Sequence, residues 1–193
     1  MDYPRKINLG SGKDYRAGWL NIDIDPMWRP DIVTDISTGW GGIPIGDPDN
    51  PARLSLTDLL GKIEIIVAND VLEHISNLTA AMRNILDLLK EGGTLQAYVP
   101  YWLSLGADCD PTHVRKFNER SFVYYGEWAN YLGWEDAYLA TKSMQFKLSP
   151  LGKTMHDSGT PHDVILRTPT ACDGIQVTLQ KVVGPPPVRF LPQ

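Results

Sequence analysis

Short apolar runs alternate with one clear helical stripe along this chain. That alternation predicts an α/β layer fold rather than an all-helical or all-strand one. Residues 6–9 read as a strand ending at Gly10. Residues 19–24 (WLNIDI) place Leu20, Ile22 and Ile24 on one face of a second strand, and residues 31–36 (DIVTDI) make a third. Residues 39–51 are dense in Gly and Pro and are expected to be loop. Residues 54–60 suit a short helix closed by Gly61. The run IEIIVA at 63–68 is nearly continuous in apolar side chains, as in a central parallel strand covered on both faces. Leu78, Met82, Ile85 and Leu89 then recur at helical spacing, with Ser76 or Asn77 as N-cap and Gly92-Gly93 as the expected stop. A strand at 94–99 follows, then a long connection over 101–120. A helix is expected over 121–132 with Gly133 at its end, and strands near 138–146, 163–167 and 175–182. The end of the chain, GPPPVRFLPQ, reads as extended.

Composition narrows the function. With 193 residues the chain suits one domain able to bury a core. We take residues 1–193 as a single unit, with a core over 5–148 and C-terminal strands and tail over 149–193. No apolar run nears the roughly 18 residues of a membrane span, and charges stand where a signal peptide needs apolar residues. A cytoplasmic protein is the expectation. Two cysteines, Cys109 and Cys172, are too few for a disulfide framework or a four-thiolate zinc site. A net charge of −5 makes nucleic acid a poor candidate substrate.

The turn Asn8-Leu9-Gly10-Ser11-Gly12 follows the first strand, and its glycines let backbone approach a ligand. Asp23 lies near the carboxyl end of the second strand, where a carboxylate in a doubly wound sheet can accept both ribose hydroxyls. Asp25 falls on the same side and competes for that role. Asp31 reads as a solvated residue at a strand start. A dinucleotide fingerprint fails, because Tyr15 stands where a third glycine is needed, and no Gly-Lys-Ser/Thr follows for a P-loop. Six residues separate Gly12 from Trp19, against about a dozen for a normal parallel crossover. A pyrophosphate would therefore lose the helix N-terminus it needs. S-adenosylmethionine (SAM) carries no phosphate and loses less, so SAM is favoured over NAD.

The run INLGSGKDYRAGWLNIDIDP resembles the first motif and second strand of class I SAM-dependent methyltransferases. The nearest pattern is a bacterial and phage group with a shortened first crossover. VANDVLEHI (67–75) resembles the fourth-strand motif of methyltransferase type 11 domains. LDLLKEGGTLQAYVP (86–100) resembles their helix, Gly-Gly turn and fifth strand. DPTHVRKFNERSF (110–122) resembles a segment that follows in this group. Four motifs in this order cover roughly residues 6–123. The resemblance implies a Rossmann-like α/β fold, a mostly parallel seven-stranded sheet in the order 3-2-1-4-5-7-6, with helices on both faces. It also implies that Gly10, Ser11 and Gly12 line the methionine part of SAM and that Asp23 binds the ribose. Ile24 would pack on the adenine, Asp35 with Ile36 beside it would hold the adenine amino group, and Asn69 and Asp70 would face the cofactor's amino group or the substrate.

Methyl transfer from a sulfonium mainly requires alignment and exclusion of water, with a base only if the acceptor must lose a proton. His74 and His113 are the candidate bases, and Arg115 the candidate clamp for an anionic acceptor group. Each also has a structural reading: a capping or loop-ordering histidine, and a surface ion pair. Asp108, Asp110 and His113 are of ligand type, but nothing completes a site, so no metal is expected. His156 and His162 read as surface loop residues, and Tyr98, Tyr101 and Trp102 as core or acceptor-pocket aromatics. The expected activity is methyl transfer to oxygen or nitrogen of a small-molecule or glycan-type acceptor, with a homodimer as the candidate assembly. Two rivals remain: a non-catalytic SAM-fold binding module and an NAD-dependent oxidoreductase.

Overall fold

The computed structural model describes residues 4–38, 44–45 and 54–187. Seven strands form one sheet: β1 (Lys6–Leu9), β2 (Leu20–Asp23), β3 (Ile32–Val33), β4 (Ile63–Asn69), β5 (Leu89–Pro100), β6 (Ala137–Leu148) and β7 (Cys172–Val183). Their spatial order is β3-β2-β1-β4-β5-β7-β6, as the sequence led us to expect. The pairs from β3 to β5 are parallel, and β7 runs antiparallel to both its neighbours. A separate ribbon pairs Pro44–Ile45 with Leu54–Ser55. Most of the expected Gly/Pro-rich loop at 39–51, and the last six residues of the tail, lie outside the described residues.

The helix between β4 and β5, α1 (Leu78–Leu88), is capped by Asn77, whose side chain accepts from Ala80 N at 3.2 Å. Met82, Ile85 and Leu86 on it are fully buried against the sheet core. Ile85→Ala should lower stability by about 2–5 kcal/mol, read as a lower urea midpoint at unchanged slope. The helix ends at Leu88, before the glycine pair. Gly92 and Gly93 instead serve the β4–β5 pairing: Gly92 has φ +75°, and a Cβ on Gly93 would stand 2.7 Å from the Ile63 carbonyl oxygen.

Four further expectations change. Residues 56–59 form a 3₁₀ turn behind Leu54–Ser55, rather than a helix over 54–60. Residues 121–132 break into two 3₁₀ turns, Val123–Tyr125 and Ala129–Leu132, because Gly126 sits between them where a Cβ would meet Leu139 O at 2.8 Å. Residues 163–167 belong to a helix. α2 is the single turn Gly106–Cys109, α3 is Pro150–Asp157, and α4 is His162–Arg167, so His156 and His162 lie on helices rather than in a surface loop. Pro161 starts α4, and Ile165 and Leu166 are its buried face; β-branched residues gave that segment its strand-like pattern.

The β1–β2 connection has no helix, and side-chain amides take its place. Asn8 donates to the Asp14 carbonyl oxygen at 2.6 Å and to Asn21 Oδ1 at 3.1 Å. Asn21 Oδ1 also accepts from Arg16 N at 2.8 Å, while its Nδ2 donates to the carbonyls of Arg16 and Trp19. Asp31 is not a solvated bystander. Its Oδ2 accepts from Asn21 N at 2.7 Å, and its Oδ1 accepts from the Tyr15 hydroxyl at 2.8 Å. Asn8 and Asn21 are both buried, so these bonds satisfy the polar groups that a shortened crossover exposes.

Candidate functional site

The carboxyl ends of β1, β2 and β4 open onto a cleft of about 350 Å³. That is within the usual range for small-ligand sites. Asp23 closes β2 and is buried, at 8% exposure. Its Oδ2 accepts from Gly12 N at 2.7 Å and its Oδ1 from Asp25 N at 2.9 Å. A carboxylate has about four acceptor positions, so two remain for a ligand. Asp25 is committed elsewhere: it caps the 3₁₀ turn Pro26–Trp28 by accepting from Met27 N at 2.9 Å. Between the two competing aspartates, Asp23 is the one in the cleft wall.

Gly10, Asp23, Ile24, Asp35, Ile36 and Asp70 all line the cleft. Ile24 is 67% exposed, an apolar side chain without a cover among the described residues. Asp35 accepts from Ser37 N at 2.8 Å through one oxygen, which fixes the turn after β3. Ser11 and Gly12 stand behind the wall rather than in it. Ser11 N donates to Ile22 O, its buried hydroxyl has no hydrogen-bond partner among the described residues, and Gly12 N orients Asp23. Asn69 lies outside this cleft too, in a neighbouring one.

Several residues of the wall are not evident from motif reading. Val71, Ile75 and Ser76 line it from the segment after β4. Asn84, on the buried side of α1, donates to Ile36 O at 2.7 Å and to Thr38 O at 2.8 Å, holding the far wall to the helix. An Asn within an otherwise apolar stripe was the available signal.

A second cavity of about 660 Å³ adjoins the first, walled by Asn69, Asp70, Tyr98, Gln145, Lys147 and Gln176 among others. Asp70 lines both. It holds φ +52°, an uncommon conformation for a side-chain-bearing residue, while its N–H donates to Tyr98 O at 2.9 Å. Burial raises the Asp70 carboxyl above its ordinary value, against the pull of His113, His74 and Lys147. Lys147 lies over the Tyr98 ring at 5.5 Å. Tyr101 is core: it is 1% exposed, donates to Glu119 Oε2 at 2.9 Å, and burial pushes its hydroxyl up to about 12. Trp102 is partly exposed and is in neither cavity wall. His162 packs its ring edge-on against Phe146, a residue of the second cavity's wall, at 5.3 Å.

His74 lines the cofactor-sized cleft, and His113 meets it edge-to-face with ring centroids 4.7 Å apart. Arg115 spends its guanidinium on backbone, donating to Ile75 O at 3.2 Å and Ser76 O at 2.7 Å. Through Nε and Nη2 it thereby holds the cleft's rim. Asp108 pairs with Lys116 at 2.7 Å, and Asp110 accepts from Thr112 N and Oγ1; among the described residues the Asp108-Asp110-His113 trio is not grouped at ligating distance. Instead Glu73, which the sequence reading passed over, sits beside both histidines. It is 1% exposed, and burial pushes its carboxyl up to about 7.

A mostly parallel sheet in this order, with a glycine turn after β1 and a carboxylate ending β2 at the edge of an apolar-walled cleft, defines a class I methyltransferase architecture. The comparisons agree. The fold is shared with a SAM-dependent methyltransferase from Archaeoglobus fulgidus (TM-score 0.57, 12% identity, 91% of this chain and 85% of that one). It is shared likewise with one from Mesorhizobium loti (TM-score 0.55, 10% identity, 91% and 90%). The [4+2]-cyclase SpnF has the fold as well (TM-score 0.55, 15% identity, 93% and 75%). No curated protein sequence matches the chain significantly. A methyltransferase-domain family model matches residues 15–135, well over half of the chain, and the chain belongs to that family. Among the described residues no helix is long and apolar enough to cross a membrane.

Proposed function

We propose that the protein transfers the methyl group of SAM to an oxygen or nitrogen of a small-molecule or glycan-type acceptor. The observation that carries this reading is Asp70, which stands in the walls of two adjoining cavities. The first is apolar along Ile24 and Ile36 and carries a buried carboxylate at Asp23, which suits a nucleoside. In our reading Asp23 accepts from the ribose hydroxyls with the lone pairs left free by Gly12 and Asp25. Ile24 and Ile36 flank the adenine, and Asp35 accepts from its amino group. Gly10 leaves room for the methionine part, and Gly12 and Ser11 act through the position they give Asp23 and the loop. The second cavity offers amides from Asn69, Gln145 and Gln176, an ammonium from Lys147 and an aromatic edge from Tyr98. Such a set suits a polar acceptor rich in hydroxyls, and Asn69 and Asp70 stand where the two ligands meet.

SAM supplies an electrophilic methyl carbon with a neutral sulfur leaving group. The chain's own part is to orient the acceptor through the second cavity and to keep water from the methyl group. Thermal melting tests the cofactor half. At about a hundredfold excess over the dissociation constant, SAM or S-adenosylhomocysteine should add about 2.7 kcal/mol. For a domain of this size that is a rise of roughly 5–10 °C, with no rise for NADH. Formation of S-adenosylhomocysteine over a panel of sugars, phenols and amines tests the acceptor half. SAM binding without turnover on any of them favours the non-catalytic module instead.

A further inference from the structure

Glu73 is 1% exposed, and neither of its carboxylate oxygens has a hydrogen-bond partner among the described residues. A buried carboxylate left so is strongly unfavourable unless a cation or proton meets it. One ligand atom each of Glu73, His74 and His113 lie within 4.8 Å of one another.

The surroundings fix the two imidazoles. The Thr112 hydroxyl donates to Asp110 Oδ1 at 2.6 Å, so its oxygen can only accept from His74 Nδ1, 2.9 Å away. His113 Nδ1 lies 3.3 Å from the Ala107 carbonyl oxygen, which is an acceptor and nothing else. Both rings therefore carry a proton on Nδ1, and Nε2 is the nitrogen of each that these contacts leave free. A histidine that ligates a metal is oriented in the same way, by an acceptor on its other nitrogen. Two imidazoles of metal-ligand type and one buried carboxylate thus stand within reach of a single ion.

We propose that Glu73, His74 and His113 bind a divalent transition-metal ion at the rim of the cofactor cleft. Two nitrogens and one carboxylate suit zinc or its first-row neighbours, whereas magnesium and calcium prefer oxygen ligands throughout. Three protein ligands leave a position open, as in catalytic zinc sites rather than structural ones. His74 also lines the cleft, so the ion stands beside the cofactor. Resting on the methyl-transfer reading, the open position takes a hydroxyl oxygen of the acceptor. The hydroxyl proton leaves to water, the oxygen forms its bond to the methyl carbon, and the carbon–sulfur bond breaks with its electron pair staying on sulfur.

The metal test uses the full chain without a purification tag and without SAM, so it stands or falls apart from the methyl-transfer reading. After removal of metals by chelation, zinc, cobalt and magnesium are titrated separately by calorimetry. One zinc or cobalt per chain is expected, with magnesium much weaker, and the cobalt form should show the absorption of a low-coordinate site. Glu73→Gln and His113→Ala should each abolish stoichiometric binding. Thr112→Val, which removes only the partner of His74, should weaken it by about 10–100-fold. Circular dichroism confirms that each variant is folded; should His113→Ala unfold, Glu73→Gln and Thr112→Val still decide the matter. Absence of stoichiometric binding in the folded wild type, or binding unchanged in Glu73→Gln and Thr112→Val, overturns the site. With metal bound, a loss of turnover on removing it that zinc restores supports the acceptor role; full turnover without metal overturns that role alone.

Discussion

Asp23→Ala should remove measurable SAM binding. A hydrogen bond to a charged group contributes about 1.5–3 kcal/mol, and our reading gives Asp23 two from the ribose. Their joint loss amounts to a roughly 10²- to 10⁴-fold rise in the dissociation constant by calorimetry. The same side chain has a second duty, which complicates the simple substitution. Its oxygens accept from Gly12 N and Asp25 N, so alanine leaves two backbone donors without their acceptor. The variant should therefore melt lower even without ligand. Asp23→Asn bounds the two effects, since its amide oxygen keeps one backbone bond while its NH2 faces the other N–H and the charge is lost. It should melt between Asp23→Ala and wild type and bind SAM at least tenfold more weakly than wild type. If Asp23→Ala binds SAM within a factor of about three of wild type, the ribose is held elsewhere, and Asp25 becomes the next residue to change.

The strand order, and the position of Asp23 at the end of β2 in the cleft wall, were legible because they depend on local pattern. Apolar runs mark strands, and a motif resemblance orders them. Where the reading failed, tertiary contacts decided. DVILR has the β-branched content of a strand, yet Pro161 starts a helix there and Ile165 and Leu166 bury one face of it. Gly92-Gly93 looks like a helix stop, yet α1 has already ended and the pair lets β5 lie against Ile63. Asp31 looks solvated, yet it fastens a crossover too short to hold a helix. Arg115 has a further duty that its spacing does not show: its Nε and Nη2 donate to two carbonyls near the end of the turn after β4. Glu73 went unread for a related reason. Its neighbour His74 carries the obvious chemistry, and only the return of the 106–114 segment brings His113 and Thr112 against it.

Gly10→Ala should also abolish tight SAM binding, by a different route. Gly10 has φ +62°, and a residue with a Cβ in that conformation costs about 1–2 kcal/mol. The added methyl would also overlap the side chain of Val71. Overpacking of that kind typically costs about 1–3 kcal/mol more. Val71 cannot move freely, because it lines the cleft and is followed at once by the 3₁₀ turn Leu72–His74. Any relief must push it toward the cofactor or shift the turn that carries Glu73 and His74. The expected result is a melting temperature lower by roughly 5 °C or more and SAM affinity reduced about 100-fold. Val71→Ala in the same chain removes the overlap but leaves the backbone strain. The double variant should regain part of the loss, with a coupling of about 1–3 kcal/mol between the two positions. Simple additivity of the two substitutions would mean that the contact does not govern the cleft. Wild-type SAM affinity in Gly10→Ala alone would mean that the turn after β1 does not approach the cofactor at all.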